Sequence, residues 1–280
     1  MTSFGLVICA AISLLPGKEW TSEPIPVKGG SQYRLSFVAR VLGEMVREEN
    51  AQVALAAWDN QHEARGMRLA RWSYGFRDEN GKPVPFLRGN PWWRVIDSAR
   101  KTTYVDGFTV PWNATKVVVS YLNRSKTDTV ELELPQVEKI ESPYVNVNSD
   151  FSLGERCHAG YGIGCLTMEP APGGGFHLWP QTEIFMDYIP IRPRHNYEFN
   201  LKLVPGGKLN GAFLIEYMDS DLKFIKGYGT TLQAKADDAN GSVDNVISPN
   251  GAAFMGVRIL GKSLKRLYEH IRITDKGVAK

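Results

Sequence analysis

Aromatic and charged residues are interleaved in two parts of this chain, and the mixture suits the binding of a sugar. An aromatic ring can stack on the C–H face of a sugar ring, while neighbouring charged or amide groups bond its hydroxyls. A wet, amphipathic ligand therefore fits better than an apolar one. The candidate ligand-binding residues are Trp72, Tyr74, Trp92, Trp93, Arg94, His177 and Trp179.

Two interpretations stay open for the aromatic residues of the first half. Trp72, Tyr74 and Phe76 alternate along the chain, so they share one face of a strand that is either a binding face or the core. Trp92 and Trp93 are adjacent, and neighbours in a strand point to opposite sides. One of these two is thus expected to face solvent or a groove, the alternative being packing under a long loop.

No catalytic motif accompanies these aromatic residues. Glycoside hydrolysis needs two carboxylates across a cleft, and pairs such as Glu131 with Glu133 are ordinary strand patterns. No two histidines share a metal-ligand spacing, and no Gly-x-Ser-x-Gly is present. We therefore predict no catalytic residue, and an enzyme is kept only as a further alternative.

Charge and hydropathy narrow the class of partner. The net charge of +3 over 280 residues gives no argument for nucleic acid. The apolar stretch from Phe4 to Leu15 is too short to span a membrane, and we interpret Leu6 to Leu14 as a strand. We expect neither nucleic acid binding nor membrane insertion.

An internal repeat organises the chain. Glu23–Phe37 and Asp187–Leu201 share an acid, Ile-Pro-aliphatic, a base, a turn, a tyrosine and then alternating apolar residues. The similarity predicts that Val53, Leu55, Ala57 and Asp59 correspond to Phe213, Ile215, Tyr217 and Asp219. On that alignment the first copy carries an aromatic-rich insertion near residues 62–104.

The repeat predicts two domains and a tail. Residues 1–141 form the first, residues 142–275 the second, and residues 276–280 a polar tail. The second copy begins with a predicted strand at Val145–Phe151 that has no counterpart in the first copy. We therefore expect the first domain to lack its first strand, either because the sequence is a piece of a longer protein with further domains, which we favour, or because the domain is built with one strand fewer.

Short alternating runs separated by Gly, Pro, Asn and Asp dominate both copies, which predicts an all-β fold. Many short antiparallel strands with such turns are typical of β-sandwiches. We predict two tandem jelly-roll β-sandwiches.

The repeated stretch resembles carbohydrate-binding modules of families four and nine. The similarity lies in Ile-Pro-Val-x-x-Gly-x-x-Tyr-x-Leu-x-Phe, in Trp58-Asp59, and in the late Phe-x-Val-Pro followed by Val117 to Val119. The resemblance implies a galactose-binding-like jelly roll attached to secreted, polysaccharide-degrading enzymes. It also implies a structural calcium ion, although Phe151 is followed by Ser152 where the family has an acid.

The function expected from the sequence is non-catalytic binding of a polysaccharide or oligosaccharide. The protein is expected to be secreted or on the cell surface, as part of a larger glycan-degrading protein. The alternative is a structural role, in which the sandwiches are spacers of a surface or enzyme assembly and the aromatic residues are core.

Overall fold

The computed structural model describes residues 11–43, 70–86, 95–96, 98–153, 160–161, 166–172, 176–180, 184–204, 210–233, 240–261 and 268–279. Within these ranges the chain is all-β. The strands of the first half are β1 Ala11–Leu14, β2 Glu19–Thr21, β3 Ile25–Pro26, β4 Gln32–Leu42, β5 Ala70–Arg77, β6 Pro83–Val84, β7 Val95–Ile96, β8 Thr102–Thr109, β9 Lys116–Asn123, β10 Thr129–Glu133 and β11 Gln136–Ile140. Those of the second half are β12 Leu166–Pro170, β13 Phe176–Pro180, β14 Ile184–Phe185, β15 Ile189–Pro190, β16 His195–Leu203, β17 Asn210–Met218, β18 Phe224–Gln233, β19 Asn240–Ile247, β20 Phe254–Gly261 and β21 Tyr268–Val278.

The first half is a β-sandwich of two antiparallel sheets. One sheet has the order β1-β10-β4-β11 with β8 beside β4, and the other has the order β2-β9-β5-β6 with β3 on β9 and β7 on β5. Alternate residues of both sheets meet in one core. Phe37 of β4 contacts Trp72 of β5 and Tyr121 of β9, with ring centroids 5.5 and 4.8 Å apart. The predicted jelly-roll sandwich is confirmed.

The second half repeats this construction with its own core. Its sheets have the orders β12-β13-β21-β16-β19 and β14-β20-β17-β18, with β15 on β20. Phe199 of β16 and Phe213 of β17 meet across the sandwich with ring centroids 5.4 Å apart. The strand pairings described for this half involve no strand of the first half. The domain boundary near residues 141 and 142 stays a prediction.

The Ile-Pro-aliphatic stretch occupies the same place in both sandwiches. Ile25 of β3 lies opposite Val117, and Ile189 of β15 lies opposite Met255. The turn that follows is closed by the repeated tyrosine, whose hydroxyl accepts a hydrogen bond from a backbone N–H. The two bonds are Lys28 N to Tyr33 Oη and Arg192 N to Tyr197 Oη, both 2.9 Å. The repeated tyrosines are thus structural.

Strand register corrects the predicted alignment of the middle strands. Phe76 lies opposite Val117, and Tyr217 lies opposite Met255, so β5 corresponds to β17. The counterparts of Phe213, Ile215 and Tyr217 are therefore Trp72, Tyr74 and Phe76, and not Val53, Leu55 and Ala57. Residues 53–59 lie outside the described residues. Apolar alternation occurs in any half-buried strand, so it could not distinguish the two alignments.

The turn after each of these strands confirms the corrected alignment. In the first half, the N–H of Lys82 donates to Asp78 Oδ1 at 2.8 Å. In the second half, the N–H of Lys223 donates to Asp219 Oδ1 at 2.9 Å. Both acids therefore cap hairpin turns, which is the turn role that the residue type favours.

The segment predicted as a strand at Val145–Phe151 consists of bends and turns. Asn148 and Phe151 have φ values of 55° and 58°, which a strand does not allow. The segment still lies along β21, because the side chain of Asn146 substitutes for part of the ladder. Asn146 Nδ2 donates to the carbonyl of Ile271 at 2.7 Å, and the N–H of Ile273 donates to Asn146 Oδ1 at 2.8 Å.

Acid is expected to destabilise the second sandwich through His270. This residue is only 6% exposed, and its Nε2 lies 2.6 Å from Asn200 Oδ1. Burial, followed by the nearby charge of Arg272, lowers the pKa of His270 to about 4. The pKa of His270 is therefore lower in the folded chain than in the unfolded chain. The contribution of neutral His270 to stability is complete above the unfolded pKa of about 6.5 and is lost as the pH falls towards 4.

When the pH is lowered from 7 to 5, we expect the free energy of unfolding of the native chain to fall by about 2 kcal/mol more than that of His270→Gln. Urea unfolding at the two pH values measures this difference. Equal pH dependence in the two proteins would contradict the prediction.

Candidate functional site

Trp72 and Tyr74 lie in the core of the first sandwich, which corrects their assignment to a binding surface. They are 4% and 3% exposed, respectively. Tyr74 contacts Phe108 of the opposite sheet with ring centroids 4.6 Å apart. The shared face of Trp72, Tyr74 and Phe76 is therefore the inner face, and the core interpretation holds for these rings.

The other predicted binding residues are not placed by the structure. Trp92, Trp93 and Arg94 lie outside the described residues. His177 and Trp179 belong to β13, opposite Glu169 and Thr167 of β12, but their side chains lie outside the described part of the chain. Their role in binding stays a prediction.

The outer face of the β14-β20-β17-β18 sheet carries a strip that sequence reasoning missed. Glu216 of β17 lies between Gly256 of β20 and Gly227 of β18 in one row across three strands. The neighbouring residues of β17, Ile215 and Tyr217, point into the core, so Glu216 points outward. Neighbouring strands are spaced by roughly 5 Å, so the two glycines are about 10 Å apart.

An aromatic ring lies over each of the two glycines. A Cβ on Gly256 would lie 2.7 Å from Cε1 of Tyr188, and a Cβ on Gly227 would lie 3.6 Å from Cζ of Phe224. Phe224 is 62% exposed, an unusual position for a phenylalanine. The strip thus consists of a ring, a carboxylate and a second ring, Tyr188, Glu216 and Phe224, which we name the aromatic strip.

A β-bulge directs Phe224 to this face. Tyr217 lies opposite Lys226, but Met218 lies opposite Phe224, so Ile225 is the extra residue of β18. A bulge of this kind shifts the alternation by one residue and re-aims the side chains beyond it. Phe224 therefore shares the outer face with Gly227, although their spacing in sequence is odd.

The two polar groups of the strip, the hydroxyl of Tyr188 and the carboxylate of Glu216, interact directly. The hydroxyl of Tyr188 donates to Glu216 Oε2 at 3.4 Å. Burial, and after it the charge of Glu216, raises the pKa of Tyr188, while Arg258 acts in the opposite direction. Arg258 lies opposite Leu214, one row along the same outer face. The strip thus offers hydrogen-bond donors and acceptors beside two rings.

The corresponding face of the first sandwich has a different character. Gly75 takes the position of Glu216 and lies opposite Val118, which takes the position of Gly256. Pro24 takes the position of Tyr188. Pro83 takes the position of Phe224, because Pro83 lies opposite Arg77 as Phe224 lies opposite Met218. At these positions the first copy has no aromatic ring, so it provides an internal comparison.

The calcium ion implied by the family resemblance stays a prediction, and the described side-chain oxygens of its expected segment accept hydrogen bonds from neighbouring residues. Asp150 Oδ1 accepts bonds from the N–H and hydroxyl of Ser152, and Asn148 Oδ1 accepts a bond from the N–H of Leu153. Calcium needs six or more converging oxygen ligands. The described part of the chain contains no group of three or more His, Cys, Asp or Glu residues able to hold a metal ion.

Within the described ranges no helix is long and apolar enough to cross a membrane. No protein-family model matches the sequence, and no curated protein matches it.

Similar solved structures include the N-terminal CBM22-1-CBM22-2 tandem domain of Xyn10C from Paenibacillus barcinonensis. It shares 9% identity with this chain at a TM-score of 0.32, over 90% of this chain and 81% of that one. The enzymatically active domain of tailspike protein 4 of bacteriophage CBA120 shares 13% identity at a TM-score of 0.36, over 49% and 22% of the two chains. Isomalto-dextranase of Arthrobacter globiformis T6, complexed with panose, shares 9% identity at a TM-score of 0.31, over 91% and 36%. Likeness at this level decides neither the fold nor the function of this chain.

Proposed function

We propose that this chain binds a polysaccharide or oligosaccharide without catalysis, and that the aromatic strip of the second sandwich is the binding site. The observation that carries the proposal is the row formed by Tyr188, Glu216 and Phe224 on the outer face of one sheet. Rings stack on the C–H faces of sugars, and a carboxylate between them accepts hydrogen bonds from hydroxyl groups.

The exposure of Phe224 supports a ligand at this place. A ring that is 62% exposed on the face of a sheet gains little from the fold, whereas a ligand stacked on it would remove its apolar surface from water. Tyr188 and Glu216 are half-buried and bonded to each other, so the strip is pre-organised before any ligand binds.

The proposal also includes the location of the protein and the domain to which this chain is joined. The family resemblance favours a secreted or cell-surface protein in which this chain is joined to a glycan-degrading domain. In that setting the strip would hold the enzyme on its substrate.

Titration with a panel of soluble plant, algal and bacterial polysaccharides tests the proposal. The variants are Tyr188→Ala and Phe224→Ala, and the control is Leu134→Ala, which removes an apolar side chain that is 48% exposed in the first half. We expect each ring removal to weaken binding of the recognised glycan about tenfold, since a stacked ring contributes on the order of 1 kcal/mol or more. Calorimetry or affinity electrophoresis measures the change.

The variants Trp92→Ala and Trp93→Ala show whether the binding site lies elsewhere. Loss of binding in these two, with full binding in Tyr188→Ala and Phe224→Ala, would move the site to the first half and contradict the aromatic strip.

A structural role is the second candidate function, and the burial of Trp72 and Tyr74 favours it. In this role the first sandwich is a spacer, and among the described positions that match the aromatic strip its outer face has Pro24, Gly75 and Pro83. If neither the native chain nor the two ring variants bind any glycan of a broad panel, the result would support this function instead.

A further inference from the structure

The two sandwiches meet at a small cavity that reaches the aromatic strip. Its wall includes Phe86 and Phe108 of the first half and Val147, Asp187 and Tyr188 of the second. Tyr188 thus lies over Gly256 in the strip and also lines the cavity. A residue of the first half is therefore in a position to control where this ring lies.

Phe86 is the residue that joins the two sandwiches at this place. Its ring contacts Phe76 of the first core at 5.1 Å between centroids and Phe254 of the second half at 6.4 Å. Phe254 precedes Gly256 by two residues on β20, so both lie on the same outer face. Phe86 therefore covers the outer face directly beside the glycine on which Tyr188 lies.

We propose that Phe86 is a positioning residue for Tyr188, so that the two sandwiches together form one glycan-binding unit. This inference rests on the proposed function of the aromatic strip. The wall of the cavity limits the movement of the Tyr188 ring away from Gly256 and Glu216. Protein interiors tolerate few voids, and removing a large wall residue leaves space into which a neighbouring ring can turn.

The test compares Phe86→Ala with Phe86→Leu in the full chain. We expect Phe86→Ala to weaken glycan binding five- to tenfold and Phe86→Leu to stay within twofold of the native chain, because leucine still fills most of the wall. Leu132→Ala is the control, since Leu132 is buried in the same core but does not line the cavity. Weakening of equal size in the control would show a general loss of stability and overturn the inference.

A double-mutant cycle decides whether Phe86 acts through Tyr188. In the Tyr188→Ala background, Phe86→Ala is expected to cause no further loss of affinity. Full additivity of the two losses would overturn the inference while leaving the strip as the binding site.

A measurement without glycan separates this inference from the proposed function. Nitration of Tyr188 by tetranitromethane, followed by peptide mass spectrometry, is expected to be several times faster in Phe86→Ala than in Phe86→Leu. If no glycan binds but nitration is faster, the proposed function fails and the positioning role stands. An unchanged nitration rate would overturn the positioning role, whatever the glycan result.

Discussion

Replacing Trp72 by alanine is expected to lower the free energy of unfolding by about 3–5 kcal/mol, the range for removing a large ring from a packed core. The ring is 4% exposed and lies on Phe37 of the opposite sheet, edge to face, with centroids 5.5 Å apart. It belongs to β5, a strand of the repeated framework, so few neighbouring residues can move to fill the space. Guanidinium chloride unfolding followed by circular dichroism measures the loss.

Trp112→Ala is the matched control for this substitution. Trp112 is 42% exposed, its ring lies over Gly30, and the guanidinium of Arg192 lies 4.0 Å from the ring centroid. We expect this variant to lose only about 1 kcal/mol, the contribution of one cation–π pair at a partly exposed site. A loss of stability in Trp72→Ala no larger than in Trp112→Ala, accompanied by weaker glycan binding, would return Trp72 to the list of ligand-binding residues.

The repeat and the alternation of apolar residues were enough to predict the fold. They predicted sandwiches and a repeated tyrosine, and Tyr33 and Tyr197 make the same hydrogen bond in the two halves. They also predicted that Trp72, Tyr74 and Phe76 share one face. Whether that face points inward depends on its pairing with Val117 and its contact with the opposite sheet, and both are long-range contacts that periodicity does not contain.

The aromatic strip could not be predicted from the local pattern because its three parts come from separate segments. Tyr188 lies in the connection before β15, Glu216 in β17 and Phe224 beyond a bulge in β18. Sequence reasoning ranked tryptophans and aromatic clusters first, whereas each ring of the strip is accompanied by a glycine. The signal in the sequence was the presence of Gly227 and Gly256 inside strands, where glycine often marks the close approach of another group.

Replacing Gly256 by valine is expected to weaken glycan binding by between about thirtyfold and a hundredfold, since both a stacked ring and a hydrogen bond are lost. A Cβ at this position would lie 2.7 Å from Cε1 of Tyr188, so the ring must leave its place over the strand and its bond to Glu216. The fold should tolerate the change, because valine favours strands and the first copy already has Val118 at the same position.

The matched control is Gly75→Val on the equivalent outer face of the first sandwich, where a Cβ meets nothing within 4 Å. We expect this variant to bind glycan like the native chain and to be at least as stable, since replacing glycine in a strand reduces the entropy of the unfolded state. Full glycan binding by a well-folded Gly256→Val protein would contradict a role for Tyr188 in the site. Weak binding by Gly75→Val alone would place the site on the first sandwich, since both substitutions add the same side chain to the corresponding row of an outer face, and only Gly256 lies beneath an aromatic ring.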